Sequence, residues 1–296
     1  MDDIDLRLCA ILMANCRTPY SQLAEALGIS VPSVQRRIQS LREQNIIRGF
    51  AVRWSISQKG AVPIMLSGSS KAPNDAVIKA LAMCDRVERA FFSGQGRIYV
   101  DGVLRSGSES PAYVAFVKKA AALYSMDSIV QGQDPSVGAR EPLELSPLDI
   151  RVLVALCQDP RMQVKHLAKT VSISTKTTAK RLDRMIEGRA IEPTMLWAPT
   201  FSSGVVSVLE VQLRESADPV HARGEIAAAH SSRMMGFALT GKKPETLMCM
   251  AWSPTAQSHA DLVASLRTSP SVAGVSSDIL QTGCYFRSWL YDIPGK

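Results

Sequence analysis

"SVPSVQRRIQSL", residues 30–41, is the stretch whose reading decides the fold. A serine followed closely by Pro32 suits a helix start, because the serine oxygen takes an orphan N–H and proline needs none. Val34, Ile38 and Leu41 then fall at i, i+4 and i+7, one buried stripe. The opposite stripe, Ser33, Arg36, Arg37 and Ser40, carries small hydroxyls and two guanidiniums with no carboxylate. Upstream, Leu23, Ala24 and Leu27 predict a short helix, with Thr18 as N-cap and Pro19 at the first helical position. Gly28-Ile29-Ser30 breaks it, since glycine fits the left-handed position that ends a helix. Ile4, Leu8, Ile11 and Leu12 mark a support helix before both. A short helix, a tight turn and a second helix on a support form the helix-turn-helix pattern. A generic three-helix bundle has the same core periodicity, so the outward stripe separates the two: hydroxyls allow close backbone approach, and guanidiniums suit phosphates and guanine edges.

The pattern is written twice. Shifted by 144 residues, "IDLRLCAIL" falls on "LDIRVLVAL", "LAEALGIS" on "LAKTVSIS" and "RRIQSLRE" on "KRLDRMIE". Eleven of 45 aligned pairs are identical: Asp5, Arg7, Leu12, Arg17, Leu23, Ala24, Ile29, Ser30, Arg37, Glu43 and Ile47; chance would give roughly three. The second copy keeps the core as Leu148, Val152, Ala155, Leu156, Leu167, Ala168, Val171, Thr178, Leu182 and Met185. Its outward stripe is rewritten as Thr177, Lys180, Arg181 and Arg184. The segments after the two units, "IIRGFAVRWS" (46–55) and "AIEPTMLWAP" (190–199), turn towards strand, as wings or as plain connections.

Two further segments share another order. Residues 62–134 read as "VPIMLSG" strand, "NDAVIKALAMCD" helix, "VERAFFSGQGRIYVDGVL" two strands, "PAYVAFVKKAAALYS" helix and "DSIVQGQ" strand. This βαββαβ order is the ferredoxin-like unit. It recurs as "VVSVLEVQL", "DPVHARGEIAAAH", "RMMGFALTG", "ETLMCMAW", "SHADLVASLRT" and "VAGVSSDIL", with Gly94 and Gly241 at equivalent turns. "RSGSESP" (105–111) and "QDPSVGAREP" (133–142) read as loops. The aromatic tail "QTGCYFRSWLYDIPGK" is expected to cover sheet surface. The fold class is therefore α+β, two winged helix-turn-helix domains alternating with two ferredoxin-like domains. The expected boundaries are 1–54, 55–140, 145–197 and 198–296.

The 296 residues are 46% hydrophobic and 21% charged, an ordinary globular composition, with a formal net charge of +7 that permits a polyanionic partner. "MDDIDLRL" places acids where a signal peptide carries bases, and no apolar run is long enough to span a membrane. Six scattered cysteines without a Cys-x-x-Cys pair point to a reducing cytoplasm and against zinc. His166, His221, His230 and His259 form no metal-ligand spacing, and no catalytic set or phosphate-binding glycine fingerprint is present. No cofactor, metal or enzymatic activity is expected.

Asp5, Arg17, Leu23, Ala24, Gly28, Ser30, Val34, Arg37, Ile38, Leu41, Ile46, Ile47 and Gly49 together resemble the Lrp/AsnC, or feast/famine, transcription regulators. Members of that family join one helix-turn-helix to one ferredoxin-like domain and dimerise through their sheets. The resemblance implies a single-chain pseudo-dimer that binds double-stranded DNA with two different recognition helices, reads an asymmetric operator, and self-associates further. The DNA-facing set it implies is Ser30, Ser33, Gln35, Arg36, Arg37 and Ser40, with Thr175, Lys176, Thr177, Lys180, Arg181 and Arg184. Family effectors, often amino acids, bind near a turn with a Gly-x-x-Asp pattern. Here the turns read "GQGR" and "GKKP", so Gly94, Gly96, Arg97, Gly241 and Lys242 are candidates for a small anionic effector, or for hairpin turns with no ligand. Some proteins with this domain pair decarboxylate sirohaem instead, using histidines and bases in the ferredoxin-like part. A third reading makes the second helix-turn-helix a protein-interaction module. Against it, residues 146–193 carry nine bases to five acids, and residues 1–53 seven to five.

Overall fold

The computed structural model describes residues 1–131, 141–230, 233–240 and 245–293. The first unit has helices α1 (Asp3–Ala14), α2 (Tyr20–Leu27) and α3 (Val31–Glu43), then strand β1 (Ile47–Trp54) and a one-turn helix α4 (Ile56–Lys59). The first βαββαβ run follows as β2 (Val62–Ser70), α5 (Asn74–Leu81), β3 (Val87–Ser93), β4 (Arg97–Leu104), α6 (Ser110–Ala120) and β5 (Leu123–Gln131). The second half repeats the order as α7 (Pro147–Gln158), α8 (Val164–Thr170), α9 (Thr175–Glu187), β6 (Ile191–Trp197), β7 (Val205–Leu213), α10 (Pro219–Ala229), β8 (Met234–Thr240), β9 (Thr246–Ser253), α11 (Ala256–Arg267) and β10 (Val272–Tyr285). The chain is mixed α+β, with duplicated helix-turn-helix and ferredoxin-like parts. Most of the loop expected at 133–142, and the turn at Gly241, lie outside the described residues.

Local signals act largely as read. Ser30 accepts from the Ser33 N–H and starts α3 with Pro32 in its first turn, and Ser174 accepts from the Thr177 N–H to start α9. Gly28 closes α2 at φ 68°, where a side chain would be strained. The first turn of α2 differs by one residue. Pro19 stands at the N-cap, Tyr20 is the first helical residue, and the Thr18 hydroxyl instead donates back to the Asn15 carbonyl at 2.9 Å.

Strands β1 and β6 are neither separate wings nor plain connections: they pair antiparallel, from Ile47 opposite Trp197 to Trp54 opposite Ile191. The ribbon exchanges cores. Met195 and Trp197 of β6 pack into the first helix-turn-helix, while Val52 and Trp54 of β1 pack into the second. Arg53 on β1 bridges Glu192 of β6 at 2.9 Å and Glu88 of β3 at 2.7 Å, fastening the ribbon to the sheet. Burial alone would raise the Glu88 carboxyl, but the Arg53 and Arg89 charges and hydrogen bonds from Ser288 and Arg53 together outweigh it and hold Glu88 below its ordinary value.

The ferredoxin-like parts share one eight-stranded sheet in the order β5-β2-β4-β3-β10-β7-β9-β8. Its seam is β3 against β10, from Ser93 opposite Leu280 to Arg89 opposite Tyr285. The sheet curls until β5 and β8, at its two ends, come within 8 Å between Cα atoms. Alternation along the strands sends Ile64, Leu66, Ile98 and Val100 to α5 and α6, and Leu209, Val211, Leu247 and Cys249 to α10 and α11. The other face meets the first helix-turn-helix through Phe91, Tyr99, Val208, Met248, Trp252 and Leu280.

The tail does more than cover sheet surface. After β10, Trp289, Leu290 and Ile293 enter the core of the second helix-turn-helix alongside Val103. The Trp289 indole donates to the Val103 carbonyl at 2.7 Å, and the Trp54 indole donates to the Asp292 carbonyl at 3.0 Å. The two helix-turn-helix units are therefore mounted differently: one rests directly on the sheet, the other on this tail.

Candidate nucleic-acid interface

Each third helix is held by a charged network against its support helix. In the first copy the Arg37 guanidinium donates to Asp2 at 2.8 Å and to Asp5 at 2.7 Å. In the second, Arg181 donates to Ser146 at 3.0 Å and to Asp149 at 2.8 Å, the same partners displaced by 144 residues. Arg184, which stands where the first copy has Ser40, adds a bond to Asp149 at 2.6 Å. Asp149 has no side-chain exposure. Burial would raise its carboxyl, yet hydrogen bonds from Ser146 and Arg181 and the Arg184 charge hold it below the ordinary value. Asp2 and Asp149 also take part in the capping boxes that start α1 and α7.

These contacts sort the sequence-derived residues. Arg37 and Arg181 are spent mainly on holding α3 and α9 in place, and Arg184 is shared between Asp149 and solvent. Ser30 and Ser174 are caps whose hydroxyls also meet Ser33 and Thr177, at 2.9 and 2.8 Å. Among the described residues Arg36 reaches only the Ser33 hydroxyl, at 3.4 Å, and it is exposed. Gln35, Thr175, Lys176, Thr177 and Lys180 are exposed as well. Ser40 is half-buried and accepts from Gln44 at 2.9 Å. The outward surface is thus carried by Ser33, Gln35 and Arg36 on α3 and by Thr175, Lys176, Thr177 and Lys180 on α9.

Sequence reading missed two cations. Arg17 donates to the carbonyls of Pro160 and Met162, and Arg161 to that of Cys16, so each unit clasps the other's loop. Arg17 and Arg161 are an identical pair in the repeat, as are Arg37 and Arg181, Arg7 and Arg151. Arg7 and Arg151 also donate to backbone carbonyls, those of Ala26 and Val171. The arginines identical in both copies are structural, while Arg36, Lys165, Lys169, Lys176 and Lys180, which differ between copies, lie outward.

The turn between β3 and β4 places Gly96 at φ 78° and Gly94 against the Gln281 side chain. Arg97 points into the enclosed face of the sheet, where it meets Asp127 at 2.9 Å and Glu210 at 2.7 Å. Its charge is already answered from both halves of the sheet. Tyr99 beside it donates to buried Asp278 at 3.0 Å. Gly241 and Lys242 lie outside the described residues. Among the described residues no three His, Cys, Asp or Glu side chains gather as a metal site, and no helix is long and apolar enough to cross a membrane.

Two capped turn-and-helix pairs, each with an outward face of hydroxyls and cations, define a helix-turn-helix protein with two different third helices in one chain. The AsnC-type helix-turn-helix domain matches at residues 1–42 and again at 145–186. The HTH-type transcriptional regulator LysM of Saccharolobus solfataricus is 30% identical over 88 residues, 30% of this chain and 62% of that protein. The HTH-type transcriptional regulator LrpA of Pyrococcus horikoshii is 32% identical over 73 residues, 25% of this chain and 52% of that protein. The chain thus spans little more than half the length of these relatives. Over nearly its whole length it is similar in architecture to the crystal structure of the siroheme decarboxylase NirDL, with a TM-score of 0.54, 13% identity, and 98% of this chain and 95% of that one covered. At that identity the likeness concerns fold alone. The AsnC-type helix-turn-helix thus occurs twice in the chain, at equivalent places in its two halves.

Proposed function

We propose that the protein is a sequence-specific DNA-binding transcription regulator, a cytoplasmic single-chain pseudo-dimer that reads an asymmetric operator and is not an enzyme. The observation that carries this reading is the pairing of Ser33 and Arg36 on α3 with Thr177 and Lys180 on α9. These are equivalent, outward positions on two capped helices. The exchanged β1–β6 ribbon and the Arg17 and Arg161 clasps support it, because they fix the separation of the two helices. A near two-fold pair suits half-sites about one helical turn, ~34 Å, apart. The division at 1–54, 55–140, 145–197 and 198–296 is proposed with it, as is further self-association.

Binding to genomic fragments followed by footprinting tests the reading. Arg36→Ala and Lys180→Ala should each weaken binding and reduce the slope of log K against log salt by about 0.9 per lost phosphate contact. Unchanged binding in both variants would sink it.

The sirohaem decarboxylase reading has the fold likeness in its favour. The enclosed sheet face argues against it. Arg89 there is paired with Asp101 at 2.9 Å and Arg97 with Asp127 and Glu210, and Asp278 adds another carboxylate. A polycarboxylate tetrapyrrole needs unspent cations. The histidines lie elsewhere: His259 on α11 meets Ser277 at 2.8 Å, His221 is exposed beside Glu225, His230 caps α10, and His166 is on α8. A Soret band on mixing the purified protein with haem or sirohaem would favour the enzyme. An effector at the Gly94–Arg97 turn would have to displace Asp127 or Glu210 from Arg97 if it were anionic.

A further inference from the structure

The two reading units differ in charge at equivalent places. Moving by 144 residues, Ser21 becomes Lys165, Glu25 becomes Lys169, Pro32 becomes Lys176, Arg36 becomes Lys180 and Ser40 becomes Arg184. All five second-copy cations are exposed, and among the described residues no ion pair ties the four lysines to a carboxylate. Asp183 replaces Gln39 and offsets part of the gain; residues 20–43 still carry a formal charge of +1 and residues 164–187 one of +4. The charged networks behind the two helices lean the same way. Two carboxylates share one guanidinium behind α3, whereas one carboxylate is shared by two guanidiniums behind α9. Lys165 and Lys169 also line an open depression of ≈ 510 Å³, together with Ser172, Ser174 and Thr175.

We propose that the second helix-turn-helix is the phosphate anchor of the chain. It takes DNA backbone phosphates through Lys165, Lys169, Lys176 and Lys180, while the first unit contributes few backbone contacts and acts chiefly through what α3 reads. The inference rests on the DNA-binding reading above and adds an order to it: the C-terminal unit supplies most of the sequence-independent affinity. The reason is physical. Each phosphate neutralised releases condensed counterions, so the unit with more free cations dominates non-specific binding and its salt dependence. Glu25, on the equivalent face of the first unit, repels the same backbone.

The experiment uses the full chain and a mixed-sequence 30-bp duplex, with anisotropy read between 50 and 200 mM KCl. Lys165→Ala combined with Lys169→Ala should lower the salt slope by about 1.8. That corresponds to about 3.5-fold less loss of affinity per removed contact over this salt range. Arg36→Ala should lower it by no more than about 0.9, and Glu25→Lys should steepen it by about 0.9. If the lysine pair can be removed with no change while wild-type binding stays salt-dependent, the anchor is elsewhere and this inference falls, with the DNA-binding reading intact. If the wild-type chain fails to bind duplex at any of these salt concentrations, both fall together.

Discussion

Arg17 and Arg161 hold each other's loops: Arg17 donates to Pro160 and Met162 at 2.8 and 2.9 Å, and Arg161 donates to Cys16 at 2.7 Å. Arg161 also lies over the rings of Tyr20 and Phe50. In a symmetric dimer these would be one contact seen twice. Here they are two contacts that sequence change can alter separately.

Arg17→Ala should therefore cost about 1.5–3 kcal/mol, the usual value of hydrogen bonds from a charged donor, read as a lower urea midpoint by circular dichroism. Combining it with Arg161→Ala should cost less than the two single losses together, because both brace one interface. Additive losses would mean that the two clasps act independently.

Neighbouring arginines on α3 should behave in opposite ways. Arg36→Ala should leave stability within about 0.5 kcal/mol and weaken DNA binding, since the side chain is exposed and outward. Arg37→Ala should lower stability by about 1 kcal/mol, because Asp2 and Asp5 lose their shared, partly exposed partner. Thermal denaturation and duplex binding of the two variants separate these roles, and the reverse pattern would overturn the assignment of faces.

Asp149 makes stability depend on pH in a definite direction. Its folded carboxyl titrates below the ordinary 3.8, so its contribution is complete above that value and is lost as pH falls through the lower folded one. Asp149→Asn should be markedly less stable than the parent at pH 7, and the gap should close below about pH 4. Urea midpoints taken from pH 7 down to pH 2.5 check this; a gap that stays constant would show that the charge is immaterial.

Trp289→Ala should cost about 3–5 kcal/mol, as large-to-small changes in a packed core do. It also strips the Val103 carbonyl of its indole donor. Backbone amide exchange should report the loss first in α7–α9, whose core the tail enters. Protection lost equally in α1–α3 would contradict the unequal mounting of the two units.

The helices, their caps and the duplication are legible because they rest on short-range chemistry: Ser30 and Ser174 can be read as caps within four residues, and Gly28 as a stop within two. The order of strands was legible for the same reason. Pairing between distant strands was not. Nothing local in "IIRGFAVRWS" indicates that β1 pairs with β6 and fills the other unit's core, or that β10 extends to Tyr285 and seals against β3. The roles of the arginines were hidden differently. On a helix wheel Arg37 looks as outward as Arg36, because the wheel omits Asp2 and Asp5 on a neighbouring helix. A usable signal was present, since Asp5, Arg17 and Arg37 are identical to Asp149, Arg161 and Arg181, and what both copies keep is what both folds need. Most residues of the family pattern in the first copy serve packing or capping, and the exposed lysines gather on the second.

On the DNA-binding reading proposed above, the β3–β10 seam has a consequence for how occupancy responds to dilution. Where two separate subunits must meet, halving their concentration below the dissociation point quarters the bound form. With the seam closed inside one polypeptide, both helices arrive on a single molecule and occupancy falls only in proportion. A few copies per cell then still present the complete pair, and the two helices are made in a fixed one-to-one ratio.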